Sequence, residues 1–198
     1  MARAQRKISR RQPRQARSRD TVDALLEAAA RVFRREGWRA TTNRIAAEAG
    51  VSVGSLYEYF PNKQALLTAL AERHLIVAER GVAAALDETQ SLRALLGALQ
   101  AAVVESQRYP SQALELVTGG ARRELATRAR ALRERVLEAL RARLLERGCT
   151  PGSATPRARV LFAVLGELTA QLGWTEPEQA AELRRELLEM AVAHAQRA

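Results

Sequence analysis

The 198-residue chain holds one cysteine, two histidines and two lysines, and aromatic side chains make up only 4% of it. Each scarcity removes a class of protein. Cys149 has no partner for an intrachain disulfide, and with only His74 and His194 to join it there is no tetrahedral set for a structural metal. No run of about 18 apolar residues could span a bilayer, so no membrane partner is expected, and the basic N-terminus lacks the apolar core of a secretory signal. A cytoplasmic location follows as the expectation. No Ser, Thr or Cys nucleophile comes with a histidine base, no phosphate-cradling glycine loop follows a strand, and no metal ligands cluster. The chain therefore reads as a binding protein without a cofactor, not as an enzyme.

What the chain has in quantity is arginine, and the positive charge is unevenly placed. Net charge is +10. Eight of the cations (Arg3, Arg6, Lys7, Arg10, Arg11, Arg14, Arg17 and Arg19) fall before residue 20 with no acid among them. Such a stretch buries no apolar surface, and residues 1–17 are expected to form a disordered basic arm. Phosphate contact is one use for it, and a solubilising tail is the other. Residues 20–67 carry six basic and six acidic side chains, so the folded segment that follows is neutral.

From residue 18 onward Ala, Leu, Arg and Glu dominate, and no stretch alternates with period two; an all-α fold is expected. At this length a single core can bury roughly two thirds to three quarters of the unfolded surface, so no cross-link is needed. Ser18 is a candidate cap for a first helix whose Val22, Leu25, Leu26, Ala29, Val32 and Phe33 recur at helical spacing, with Gly37 as its stop. Thr41 or Thr42 can cap a second, of barely two turns, that places Ile45, Ala46 and Ala49 on one face and ends at Gly50. Ser52 can cap a third. Its Val53, Leu56 and Phe60 face inward, leaving Gly54, Ser55, Tyr57, Glu58 and Tyr59 outside or at the edge. Asn62 can cap a fourth that begins at Lys63.

Two short helices joined at Gly50, Val51 and Ser52 make a helix-turn-helix, whose second member fits a DNA major groove. Gly54 and Ser55 let the backbone approach base edges, and the tyrosine hydroxyls reach flanking phosphates. Lys63 stands beside the exposed N–H groups of the fourth helix, so two positive features converge on one anion.

The stretch "ATTNRIAAEAGVSVGSLYEYFPNKQALL", with the amphipathic helix before it, resembles the N-terminal domain of the TetR family of bacterial transcriptional regulators. Several short motifs agree in order and spacing over residues 18–67: a Thr before the second helix, "IA", "AGVS", "GSLY", "YF" and a Lys three residues after the Phe. The resemblance implies a nine-helix architecture in which residues 18–67 bind DNA and residues 68–198 bind a ligand and dimerise. It implies that Ser52, Val53, Gly54 and Ser55 face bases or nearby phosphates, that Tyr57 and Tyr59 grip the backbone, and that Thr42 and Lys63, assisted by Arg44, hold phosphates on either side. The implied function is that of a ligand-responsive repressor, released by an apolar or amphipathic small-molecule effector from a double-stranded operator. The rival is a nonspecific or architectural DNA binder driven by the arm. Glu58 departs mildly from an ideal reading helix, since an acid repels phosphate and accepts only from a cytosine amine.

In the remainder, breakers and periodicity mark five further elements. The fourth helix runs to about Ala85, Ser91 caps a fifth to Tyr109, and Pro110 opens a short sixth before Gly119 and Gly120. A long seventh keeps Leu125, Leu132, Val136, Leu140 and Leu144 on one stripe, and its arginines are expected in solvent. "GCTPGSATP" is expected as a loop with Thr155 and Pro156 opening helix eight, and Thr175 with Glu178 makes a capping box for helix nine. Helices four to seven offer apolar faces for a chamber that, in the family, receives the effector; Leu70, His74, Leu99, Val103 and Val117 are its candidate lining. A histidine satisfied by a backbone carbonyl is the plainer alternative for His74. The family pairs its last two helices with those of a second copy, which implies a homodimer through Leu161, Leu165, Leu168, Leu172, Leu183 and Leu187.

Overall fold

The computed structural model describes residues 11–88, 91–172 and 177–196, and among them every regular element is helical. Nine helices follow in order: α1 Arg11–Glu36, α2 Thr42–Glu48, α3 Val53–Tyr59, α4 Lys63–Glu88, α5 Leu92–Ser106, α6 Ala113–Leu116, α7 Gly119–Glu146, α8 from Pro151 and α9 Pro177–Gln196. Helix α8 is regular over Pro151–Ala163, passes through a π-helical turn at Val164–Leu168 and closes with Thr169–Gln171. No described helix is long and apolar enough to cross a membrane. The chain divides into two compact units after Leu66.

In the first unit α1 packs on α2 and α2 on α3. Helices of seven residues are marginal alone, because isolated helices shorter than about 12–15 residues rarely form in water. Burial reverses that. Ile45 and Leu56 are fully buried, with Leu25, Val32, Phe33 and Phe60 around them, and each large apolar side chain taken from water contributes about 1.5–3 kcal/mol. Caps set the boundaries: Thr41 Oγ1 accepts from the Arg44 N–H at 3.3 Å, Ser52 Oγ from the Ser55 N–H at 3.0 Å, and Asn62 Oδ1 from the Ala65 N–H at 2.8 Å. Gly50 takes φ +70°, a left-handed conformation that only glycine adopts readily, and this allows α2 to stop at Glu48 and α3 to restart at Val53, four residues intervening.

One boundary in this unit differs from expectation. Helix α1 begins at Arg11 instead of Ser18, so residues 11–17 of the expected disordered arm are helical. Arg, Gln and Ala favour helix, and Pro13 lies in the first turn, where no backbone N–H has an intrahelical partner to lose. Residues 1–10 of the arm lie outside the described residues.

The second unit is built around one apolar cluster fed by α4, α5, α7, α8 and α9, with Leu96, Leu140, Leu144 and Leu161 at its centre. Helices α4 and α5 approach so closely that a Cβ on Gly81 would lie 2.6 Å from Cβ of Ala102. Gln100 ties α5 to α9 by donating Nε2–H to the Arg184 carbonyl at 2.9 Å. Helix α8 also begins earlier than expected: Thr150 caps it by accepting from the Ser153 N–H, and Pro151 takes the first helical position. Two Thr-Pro pairs compete there, and the first wins; Pro156 is then carried inside the helix. Thr175, half of the expected capping box of α9, lies outside the described residues.

Candidate nucleic-acid interface and effector cavity

The outward surface of α2 and α3 presents small and hydroxyl-bearing side chains. Ser52, Gly54, Tyr57 and Glu58 are exposed, Thr42, Val53, Ser55 and Tyr59 are half-buried at the margins, and Leu56 points inward at full burial. Tyr57 Oη and Thr42 Oγ1 lie 3.1 Å apart, so a hydroxyl pair bridges the start of α2 and the middle of α3. Ser52 has two tasks, since besides capping α3 its Oγ is 2.9 Å from Ser55 Oγ. Gly54 stands open: an added Cβ would meet only Ser52 Oγ, at an ordinary 3.6 Å.

Charge at this face is held in place. Arg44 Nη1 is 3.2 Å from Glu36 Oε1, which competes with the assisting phosphate contact expected of it. The Lys63 ammonium lies 5.7 Å from the centre of the Phe33 ring, at the N-terminus of α4. On the α1 side of α2, Glu48 accepts from Arg31 Nε at 2.8 Å and Arg35 Nη2 at 2.7 Å, clamping α2 to α1. The hydrogen bond from Arg35, then that from Arg31, holds the Glu48 carboxyl at a pKa of about 2. Periodicity gives no hint of that clamp, because partners 13 and 17 residues away meet only once α2 has docked on α1.

The second unit holds a partly open cavity of about 250 Å³ between α4, α5, α6, α7 and α8. Of the candidate lining residues His74, Leu99 and Val103 line this cavity, with Val82, Leu132, Val136, Phe162 and Leu165 among the other apolar walls. Leu70 and Val117 do not: both are fully buried against protein and contribute nothing to the wall. Their apolar character marks them as interior, but interior positions divide between solid core and cavity wall according to packing that spacing does not carry.

His74 is buried, and its Nδ1 lies 3.0 Å from the Ser106 carbonyl and 2.9 Å from that of Tyr109. Carbonyls only accept, so Nδ1 carries the proton. Burial pushes the ring's pKa below its ordinary value, and the bonds to Tyr109 and Ser106 offset this only in part; His74 is neutral. Carbonyl satisfaction and cavity lining thus hold together. Two arginines of α7 are also more engaged than expected. Arg128 forms a two-pronged pair with Glu79 at 2.8 and 3.1 Å, and Arg133 lies over Phe162, 5.5 Å from the ring centre.

Of the six leucines expected at an intermolecular face, Leu161, Leu165 and Leu187 are buried within their own unit, Leu165 as cavity wall. Leu168 and Leu183 are exposed at 43% and 41%, and Leu172 is half-buried. Val160 and Met190 join the exposed set on α8 and α9. The π-helical turn at Val164–Leu168 shifts the facing of residues after Ala163, which an unbroken helical period does not anticipate.

Residues 25–70 match the sequence profile of the family described as bacterial regulatory proteins, tetR family. No curated protein matches the chain significantly. Among solved structures the fold resembles that of the ketosteroid transcriptional regulator KstR2 of Mycobacterium tuberculosis, with a TM-score of 0.70 and 23% identity over 87% of this chain and 93% of that one. It also resembles the TetR family transcriptional regulator PfmR from Thermus thermophilus, at 0.67 and 22%, covering 85% and 97%. AibR, solved in complex with isovaleryl coenzyme A and operator DNA, gives 0.65 and 17%, covering 86% and 97%. The nine-helix architecture is that of these regulators.

Proposed function

Residues 25–70 match the profile of bacterial regulatory proteins of the tetR family, and from that premise we propose that the protein is a cytoplasmic repressor that binds a pseudo-palindromic operator as a homodimer and releases it on binding a small molecule. The observation that carries this reading is the bare outer face of α3. Gly54 is open and Leu56 anchors the helix from behind, while the Thr42–Tyr57 hydroxyl pair flanks it. Such a face suits close approach of backbone to base edges, with hydroxyls on phosphates. With Arg44 drawn toward Glu36, bidentate guanine contacts are sparse, and part of the specificity falls to DNA shape.

One short reading helix contacts few bases, which favours a dimer with reading helices about 34–36 Å apart. Val160, Leu168, Leu183 and Met190 are the exposed apolar groups that support pairing through α8 and α9. The cavity is the effector site in this reading. Similarity to AibR, whose structure holds both a small molecule and operator DNA, supports the combination. Helix α4 carries Lys63 at its first residue and His74 in the cavity wall. An effector that favours a different α4 position weakens DNA binding, and DNA must then weaken the effector by the same factor.

Selection of bound duplexes from random DNA tests the proposal. The expected result is an inverted repeat whose half-sites lie one helical turn, or a multiple of it, apart. Recovery of sequences without a common site would assign the protein to nonspecific binding.

A further inference from the structure

Resting on the reading of the cavity as the effector site, we propose that the effector is a compact, uncharged apolar molecule carrying a single hydroxyl, and that this hydroxyl donates to Nε2 of His74. The cavity's size bounds the molecule first. An engineered apolar cavity of about 150 Å³ accepts benzene, and drug-sized ligands occupy roughly 300–1,000 Å³. At about 250 Å³ the space suits one substituted ring or its aliphatic equivalent.

Polarity then selects the functional group. Most of the wall is Leu, Val, Ala and Phe; besides His74, its polar side chains are Ser106 and Arg133 and the half-buried Gln107 at its edge. Ser106 donates its hydroxyl proton to the Val103 carbonyl at 2.8 Å and has little left to give a ligand. The hydrogen bonds of His74 to described residues both run through Nδ1. That fixes the tautomer, and in the neutral ring Nε2 keeps a lone pair without a proton. An acceptor in an apolar wall calls for a donor on the ligand: a hydroxyl meets that demand and leaves no second polar group to desolvate. A carboxylate does not, because it would bring an acceptor to an acceptor. The cation in the wall, Arg133, is exposed and lies over Phe162, so an anion drawn to it stays near solvent and gains little from the apolar wall.

Calorimetric titration of the full chain with 4-ethylphenol, 4-ethyltoluene and 4-ethylbenzoate tests this. The phenol should bind about tenfold tighter than the isosteric toluene, although the toluene is the more apolar, because only the phenol pairs with the buried acceptor. His74→Asn keeps an amide donor for the two carbonyls and removes Nε2; it should erase the preference, whereas Arg130→Gln, on α7 outside the wall, should leave it intact. Equal binding of phenol and toluene would overturn the hydroxyl inference while leaving the cavity as the effector site. Preference for the benzoate with proton uptake would overturn it in favour of an anion. No binding by any of the three would overturn it together with the effector reading of the cavity, and a preference that survives His74→Asn would assign the hydroxyl to another partner.

Discussion

Two helical glycines, one in each unit, sit in opposite surroundings, and under the proposed reading the contrast separates a surface that meets DNA from a core that meets itself. On α3, Gly54 leaves room that the protein does not fill, with nothing closer than Ser52 Oγ at 3.6 Å to an added Cβ. On α4, Gly81 leaves room that α5 fills completely, with Ala102 Cβ at 2.6 Å. Both glycines lie within helices and neither is required by a left-handed turn. In the proposed reading the first leaves room for DNA, whereas the second leaves room for a helix that is already there.

Adding side chain at each position is the sharpest way to break this comparison. Gly54→Gln should reduce affinity for the selected duplex toward the nonspecific level, about a thousandfold or more. Its melting temperature should hold or rise, since glycine inside a helix is roughly 0.5–1 kcal/mol less favourable than alanine. Fluorescence anisotropy beside a thermal scan checks both halves, and retained affinity would mean that DNA does not approach this face. Gly81→Ala should do the reverse to stability. Overpacking of about 1–3 kcal/mol lowers the melting temperature by about 2–4 °C for each kcal/mol in a chain of this size. An unchanged melting temperature would show that α4 and α5 separate without cost.

The smallest expected effect sharpens the comparison through pH. In the second unit His74 is held neutral, so at low pH the unfolded chain binds a proton that the native state refuses. Its contribution is fully present above the ordinary pKa of 6.5 and is lost as pH falls below it, with a slope of at most about 1.4 kcal/mol per pH unit. In the first unit Glu48, held ionised by Arg35 and Arg31, contributes above its ordinary 4.5 and loses that contribution as pH falls toward about 2. Melting curves of His74→Asn and Glu48→Gln against the parent chain should therefore converge with it at different acidities, near neutral-to-mildly acid pH for the first and below pH 4.5 for the second. Convergence in one shared window would contradict these assignments.

How far each unit can be inferred from sequence follows from the range of the forces that shape it. The reading head is written locally. Thr41, Gly50, Ser52 and Asn62 act on neighbours two or three residues away, so caps, turn and inward face are all legible. The cavity is not local. Its wall draws on residues from His74 to Gly166, and apolar spacing identifies buried residues without saying which of them face a void. Leu70 and Val117 fall outside the wall for that reason. Leu161, Leu165 and Leu187 pose the same difficulty, because periodicity cannot assign an apolar residue to an inner or an intermolecular face. The start of α8 turns on a choice between two equally good Thr-Pro pairs, and the π-helical turn near Gly166 carries no local signal at all.

Hydrogen exchange of the full chain, with and without the selected duplex, addresses the central claim most directly. DNA should slow exchange at the α2–α3 corner and at the N-terminus of α4, within residues 42–65, where the hydroxyl pair, Gly54 and Lys63 lie. Protection confined to the arginine-rich helix α7, with residues 42–65 unchanged, would contradict the account.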